Sequence, residues 1–322
     1  MKLKALIATG MVLLCGVAGA QATAWPDKPV TLVVPYPAGG GVDPVARLVG
    51  KHLSDLWKQP VVVSNKAGGS GSIGATYVAR AKPDGTTIMM SATAEVVINQ
   101  FIMPKMQYNP ETDLKPVTLA VRLPFILLAH TGQPFSTTEE LIAYARKNPD
   151  TVTYASSGSG TPQHLAAVLL EQLGGIKMMH IPYKGIAPSI SDLLAGQVAV
   201  AFAGLPTGLP HAQAGTLKAL AVSSLKSSPA APKIPPLAQT AGLERFDLTQ
   251  WFGIFVPAGT PEDIVQKVQQ DIATVLKMPE VRETLEAQGA EPSGMSTVEF
   301  EAFVGAEREK FGRIAKAANL QQ

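Results

Sequence analysis

Four short segments combine small residues and hydroxyls in a way suited to holding an anion. The first, Pro35-Tyr36-Pro37-Ala38-Gly39-Gly40-Gly41-Val42-Asp43, sets a glycine run ahead of Asp43-Pro44, a pair that favours a helix start. Glycine lets backbone approach a ligand, and a helix start offers unpaired N–H groups at the positive end of its dipole. Tyr36, Ala38, Gly39, Gly40 and Asp43 are therefore candidate ligand contacts, although an empty strand-to-helix turn would use the same residues. The second, Ala155-Ser156-Ser157-Gly158-Ser159-Gly160-Thr161-Pro162, offers Ser156, Ser157, Ser159 and Thr161 as a cradle for a carboxylate without any cationic side chain. Plain N-capping by Ser159 or Thr161 accounts for one or two of these polar residues and not for all. His164, one turn into the following helix, is placed to touch a bound carboxylate. The third, Gly68-Gly69-Ser70-Gly71-Ser72-Ile73-Gly74, contributes Ser72, and the fourth, Ser91-Ala92-Thr93-Ala94-Glu95, contributes Thr93 as either a cleft residue or a helix cap.

Catalytic, cofactor and metal chemistry is poorly represented. Gly69, Gly71 and Gly74 satisfy G-x-G-x-x-G with Glu95 downstream, yet Asn65-Lys66-Ala67-Gly68 separates them from the preceding strand, so no dinucleotide is expected. The five histidines have no metal-ligand spacing, and no metal is expected. No phosphate-binding Gly-Lys-Ser/Thr loop and no G-x-S-x-G elbow are present. A secreted hydrolase using Ser157 or Ser159 with His164 is the enzymatic alternative, but it lacks a positioned acid for the histidine.

The elements that must position these loops alternate between strand and helix. Val30-Thr31-Leu32-Val33-Val34 reads as a strand buried on both faces of a parallel sheet, followed by a helix from Asp43 to about Trp57. Val61–Val63 and Thr87–Met90 read as further strands, with a helix over 72–81 between them. The same alternation restarts after Val117: strands at 124–129, 152–155, 178–181, 198–202 and 219–222, and helices at 138–147, 161–173 and 187–195. Pro229–Pro236 reads as a connecting loop and Trp251–Val256 as a strand. The tail from Pro261 reads as helices without strands, packed back on the first half. This order predicts a doubly wound α/β protein with two lobes, one formed by 25–123 plus 247–322 and the other by 124–246. Two chain crossings then join the lobes, and each candidate loop leaves the carboxyl end of a strand, where open α/β sheets bind ligands.

Lys2 and Lys4 precede an uncharged apolar run from Ala5 to Ala18, followed by alternating alanines at 18, 20, 22 and 24. That is the pattern of a secretory signal peptide over residues 1–24, cleaved after Ala22 or Ala24 and leading to the periplasm. The single cysteine, Cys15, lies inside it, so the mature chain has no thiol chemistry. Removing 24 of the 322 residues leaves 298 and takes the net charge from +2 to 0. A neutral chain has no electrostatic footprint for nucleic acid or an anionic membrane.

Longer stretches carry a family resemblance: Trp25-Pro26-Asp27-Lys28-Pro29, Val33-Val34-Pro35-Tyr36-Pro37-Ala38-Gly39-Gly40-Gly41-Val42-Asp43, Asn65-Lys66-Ala67-Gly68-Gly69, Tyr154 to Thr161, His180-Ile181-Pro182-Tyr183-Lys184-Gly185, Asp192 to Val198, Leu220-Ala221-Val222-Ser223-Ser224 and Trp251 to Pro261. In this order they resemble the Bug family (Bordetella uptake gene products), periplasmic solute-binding proteins of tripartite tricarboxylate transporters. The resemblance implies a type II-like Venus flytrap that closes on a small carboxylate and involves no cofactor or catalysis. It also implies a monomer that presents its ligand to membrane transporter subunits, or to a sensory partner. Backbone groups and bridging waters at the loops matching Tyr36–Asp43 and Ser156–Thr161 would grip the carboxylate. Two positions depart from the family: Gly204 stands where an acidic residue or amide commonly faces the cleft, and Val42 where Thr is frequent. Gly204 still counts among the expected cleft residues, and the loss of a polar group there argues against an amino-acid ligand.

Overall fold

The computed structural model describes residues 25–318 and 320, so the expected signal peptide and Cys15 lie outside the described residues. The chain begins with β1 (Val30–Val34), α1 (Val42–Trp57), β2 (Val61–Asn65), α2 (Ser72–Ala79) and β3 (Thr87–Ala92), then a π-helical turn (Ala94–Ile98) and α3 (Asn99–Ile102). It continues through β4 (Leu114–Leu123), β5 (Phe125–His130), α4 (Thr138–Lys147), β6 (Thr153–Ser156), α5 (Pro162–Gly174), β7 (Met179–Pro182) and α6 (Ile186–Leu194). After β8 (Val200–Gly204), α7 (Leu205–Gln213) and β9 (Leu217–Val222), the chain closes with β10 (Gln250–Pro257), α8 (Glu262–Lys277), α9 (Pro279–Ala287), β11 (Glu291–Pro292) and α10 (Thr297–Ala317).

Two sheets result, ordered β11-β4-β10-β3-β1-β2 and β7-β6-β8-β5-β9. β1 pairs in parallel with β2 and β3, as its near-continuous apolar run predicts. Both sheets are nevertheless mixed: β10 is antiparallel to β3 and β4, and β5 is antiparallel to β8 and β9. β4 and β5 belong to different sheets and meet at Pro124, while the segment between β9 and β10 carries the chain back.

Helix register explains how the layers close. Val42, Val45, Ala46, Val49, Leu53 and Trp57 recur at three- and four-residue spacing and bury one face of α1. Thr137 caps α4 by accepting the Glu140 N–H at 3.2 Å, and Ser296 with Glu299 forms a capping box on α10. α8 packs on α1 and β4, whereas α10 packs on β4, the π-helical turn and also α5 of the other sheet. One apolar core accordingly runs through both halves, with Phe125, Trp251, Phe300 and Phe311 in the same cluster.

β4, α7 and β11 are among the elements that escape the sequence pattern. β4 contains Lys115, Pro116 and Arg122, and a register shift beside Phe255 lets the proline sit in a ladder. α7 carries Pro206 at its start and Pro210 inside. The tail, read as free of strands, contributes the two-residue β11, which pairs with β4. Asp43, read as an N-cap, lies inside the first turn of α1, and Gly41 occupies the cap.

Candidate functional site

A cavity of about 340 Å³ opens between the two sheets, where the starts of α1 and α5 face each other. The β1–α1 loop supplies Tyr36, Pro37, Gly40, Gly41 and Val42, and the β6–α5 loop supplies Ser157 and the run from Ser159 to Gln163. Ser70, Ala92, Thr93, Ala94, Asn99, Ile102 and Gln250 complete the wall. Not one of these side chains carries a formal charge. The N–H groups of Gly41, Val42, Ser157 and Ser159 have no acceptor among the described residues. These four residues line the cavity beside two helix starts, each worth roughly half a positive charge, in an otherwise neutral space.

The expected contacts divide into wall and scaffold. Tyr36, Gly40, Thr93, Ser157, Ser159 and Thr161 line the cavity. Ala38 and Gly39 are on the exposed outer side of their loop, and Gly204 ends β8 away from the cavity. Ser72 is replaced at the wall by Ser70; its own hydroxyl sits 3.4 Å from Met103 Sδ and accepts from Asn99 Nδ2 at 3.2 Å. Asp43 is buried and committed: it accepts from Gly39 N at 3.0 Å, Arg47 Nε at 2.9 Å and Asn65 Nδ2 at 2.8 Å. The Arg47 bond leads the forces that hold its carboxyl down at about 2. Asp43 therefore shapes the glycine loop from behind.

A second scaffold supports the Ser-rich loop. His164 Nδ1 accepts the Gly160 N–H at 3.0 Å, and Ser156 Oγ lies 2.7 Å from His180 Nε2. The two imidazoles stack at 4.0 Å with a 6° tilt, and Tyr154 stacks on His180 at 4.8 Å. Burial, followed by the charge His180 would carry, pushes His164 down to about 4; burial also lowers His180. Both rings are neutral near pH 7 and act as spacers. Thr161 Oγ1 donates to Gly158 O at 2.7 Å and makes no cap bond to α5. Ser157 Oγ donates to Gln163 Oε1 at 3.0 Å. No carboxylate hydrogen-bonds either histidine among the described residues, and no cluster of metal-ligating residues occurs among them.

The floor hides a group that sequence reasoning did not assign to the site. Glu95, fully buried in the π-helical turn, accepts from Tyr36 Oη at 2.7 Å and from Ala92 N at 2.7 Å. Its backbone carbonyl accepts from Tyr108 Oη. Burial pushes the carboxyl up to about 7, against the lowering effect of the Tyr36 bond. Asn99, Ile102, Gln163 and Gln250 also went unforeseen, because none belongs to a Gly- or Ser-rich loop.

The chain is similar to several known proteins. Residues 45–320 match the family described as Tripartite tricarboxylate transporter family receptor. Protein BugT of Bordetella pertussis is 32% identical over 92% of this chain and 91% of its own length. Among solved structures, Rpa4515 of R. palustris with adipate is 34% identical, covers 92% of this chain and 98% of its own, and superposes with a TM-score of 0.78. MatC from Rhodopseudomonas palustris with bound malate is 30% identical, covers 90% and 99%, and gives a TM-score of 0.73.

Proposed function

The chain belongs to the tripartite tricarboxylate transporter receptor family of periplasmic solute-binding proteins, and from that premise we propose that it captures a small dicarboxylate between its lobes. The observation that carries the reading is the uncharged cavity between the opposed starts of α1 and α5. Free N–H groups of Gly41 and Val42 on one side, and of Ser157 and Ser159 on the other, would share one carboxylate. Ser159 and Thr161 hydroxyls and bridging water would complete its shell. Contacts to both lobes at once exist only in the closed form, so the ligand favours closure through them. Pro37, Val42, Ile102 and Pro162 give the remaining wall an apolar stretch suited to a short carbon chain. Adipate and malate in the two relatives are both dicarboxylates, which supports the class. The absence of an acidic side chain from the wall disfavours a ligand bearing an ammonium.

The family consists of receptors, and we read this chain as non-enzymatic. Among the described residues Ser156 and His180 form a hydroxyl–imidazole pair, but Ser156 is fully buried and lies behind the wall. On this reading residues 1–24 direct export and are removed, and the mature monomer delivers its ligand to membrane subunits of a transporter.

Isothermal titration of the mature protein with C4 to C8 dicarboxylates, malate, citrate and matched monocarboxylates tests the reading. One dicarboxylate binding one molecule per chain is expected, with about tenfold or greater loss on Gly40→Val, which fills the wall. Silence across the panel, in a folded protein free of carried-over ligand, would refute it.

A further inference from the structure

A second cavity, about 470 Å³, lies on the far side of the segment that reconnects the lobes. Thr249 lines it, while the next residue, Gln250, lines the carboxylate cleft, so the two cavities flank one extended segment at alternate side-chain positions. Its walls come from the end of β4, β11 and α9 in one lobe and from the loop at 224–230 in the other.

Unlike the cleft, this cavity is lined by charges of both signs. Arg282 and Glu286 pair with each other at 2.7 Å. Arg122, Lys226, Asp247 and Glu291 remain, and their side chains form no ion pair among the described residues. Arg122 and Glu291 are direct partners across the antiparallel β4–β11 pair, so they share a sheet face. The Arg122 guanidinium lies over the Phe303 ring at 4.7 Å, and no hydrogen bond or ion pair to a protein acceptor is formed by it among the described residues. Burial raises the Glu291 carboxyl, the nearby Arg122 charge and the Ser228 hydroxyl oppose the rise, and the Asp247 charge adds to it. Ser228, itself buried, sits in the wall beside Glu291. A half-buried guanidinium and two carboxylates that line one space without an ion pair leave room for a ligand carrying the complement of both.

We propose that this cavity is a second ligand site, for a small zwitterion of the α-amino-acid type, with the carboxylate on Arg122 and the ammonium on Asp247 and Glu291. An anion alone would leave the two carboxylates unpaired, and a cation alone would leave Arg122 unpaired. The site is separate from the dicarboxylate cleft and does not depend on the function proposed for that cleft.

Titration calorimetry of the mature protein with glycine and L-alanine tests this, with acetate and ethylammonium as probes carrying one charge each. One zwitterion is expected to bind per chain, with acetate and ethylammonium at least about tenfold weaker. Arg122→Ala and Asp247→Asn should each weaken the zwitterion about tenfold or more, while Thr161→Val, in the cleft, leaves it unchanged. If Arg122→Ala does not fold by circular dichroism, Asp247→Asn carries the test alone. No heat with either amino acid at about 10 mM would overturn the proposal. So would binding that survives Asp247→Asn but is lost with Thr161→Val.

Discussion

Replacing Glu95 by glutamine should change how stability depends on pH more than it changes stability itself. The carboxyl titrates near 4.5 when free and is raised to about 7 by burial in the fold. The folded state therefore binds more protons than the unfolded chain between those values, and stability falls as pH rises through the window. A shift of that size corresponds to about 3 kcal/mol, fully present below the free-carboxyl value and lost once pH passes the folded one. The substituted amide would keep an oxygen for the Ala92 N–H and present an NH₂ to Tyr36, so any lost bond gives an offset constant with pH. Other shifted groups remain in both proteins and cancel in the difference. Urea unfolding of wild type and Glu95→Gln at half-unit steps from about pH 5 to pH 8 measures it. The wild type should lose about 2–3 kcal/mol relative to the variant across that range, the loss ending just above neutrality. Parallel stability curves would show that Glu95 ionises as freely in the fold as in water, and the account of the cleft floor would fall.

Three further outcomes follow from the same geometry. His164→Ala removes the acceptor of the Gly160 N–H and one face of the imidazole stack; a destabilisation of about 2–4 kcal/mol by urea unfolding is expected, with weaker dicarboxylate binding by calorimetry. Gly71→Ala places a Cβ 2.8 Å from Glu95 Oε2 at a φ of +86°, so thermal unfolding should show a loss of about 1–3 kcal/mol. Because no charged side chain lines the cleft, dicarboxylate affinity should change by less than about threefold between 20 and 500 mM salt. A steep salt slope in the same titration would point to a cationic side chain entering the closed site.

The fold was legible wherever one element served one purpose. β1, α1 and α4 announce themselves through an apolar run, a three-and-four repeat and a Thr137 cap. β4 did not, because an ordinary strand has no Pro116, and its place beside β10 rests on tertiary pairing that no local window contains. The binding loops were legible as loops, since glycine and serine runs ahead of helix starts have few other uses. Which of their residues face inward was not: Asp43 and His164 are the kinds of residue that ligands favour, and both turned out to hold backbone. Glu95 and His180 were missed for the converse reason, as their roles depend on partners 59 and 24 positions away.

The location of charge around the cleft explains why an anion site can be built without cations. An arginine in the wall would bind any carboxylate, and its desolvation would have to be repaid in the closed form by each ligand. Two opposed helix starts supply comparable positive potential through groups that are already fixed and cannot follow a misplaced ligand. Discrimination among acids then falls to the neutral remainder of the wall, where Ile102, Asn99, Gln163 and Gln250 come from separate parts of the chain. Changing any of these alters the far end of the ligand without touching the carboxylate grip. Glu95 is an acidic group beneath the floor, and burial keeps much of it protonated up to neutrality. An arriving carboxylate raises it further by like-charge repulsion, so binding near neutral pH should draw a proton onto Glu95. Titrations of the same dicarboxylate in buffers of different ionisation enthalpy would read that proton directly. Glu95→Gln should abolish the buffer dependence while leaving one ligand bound per chain.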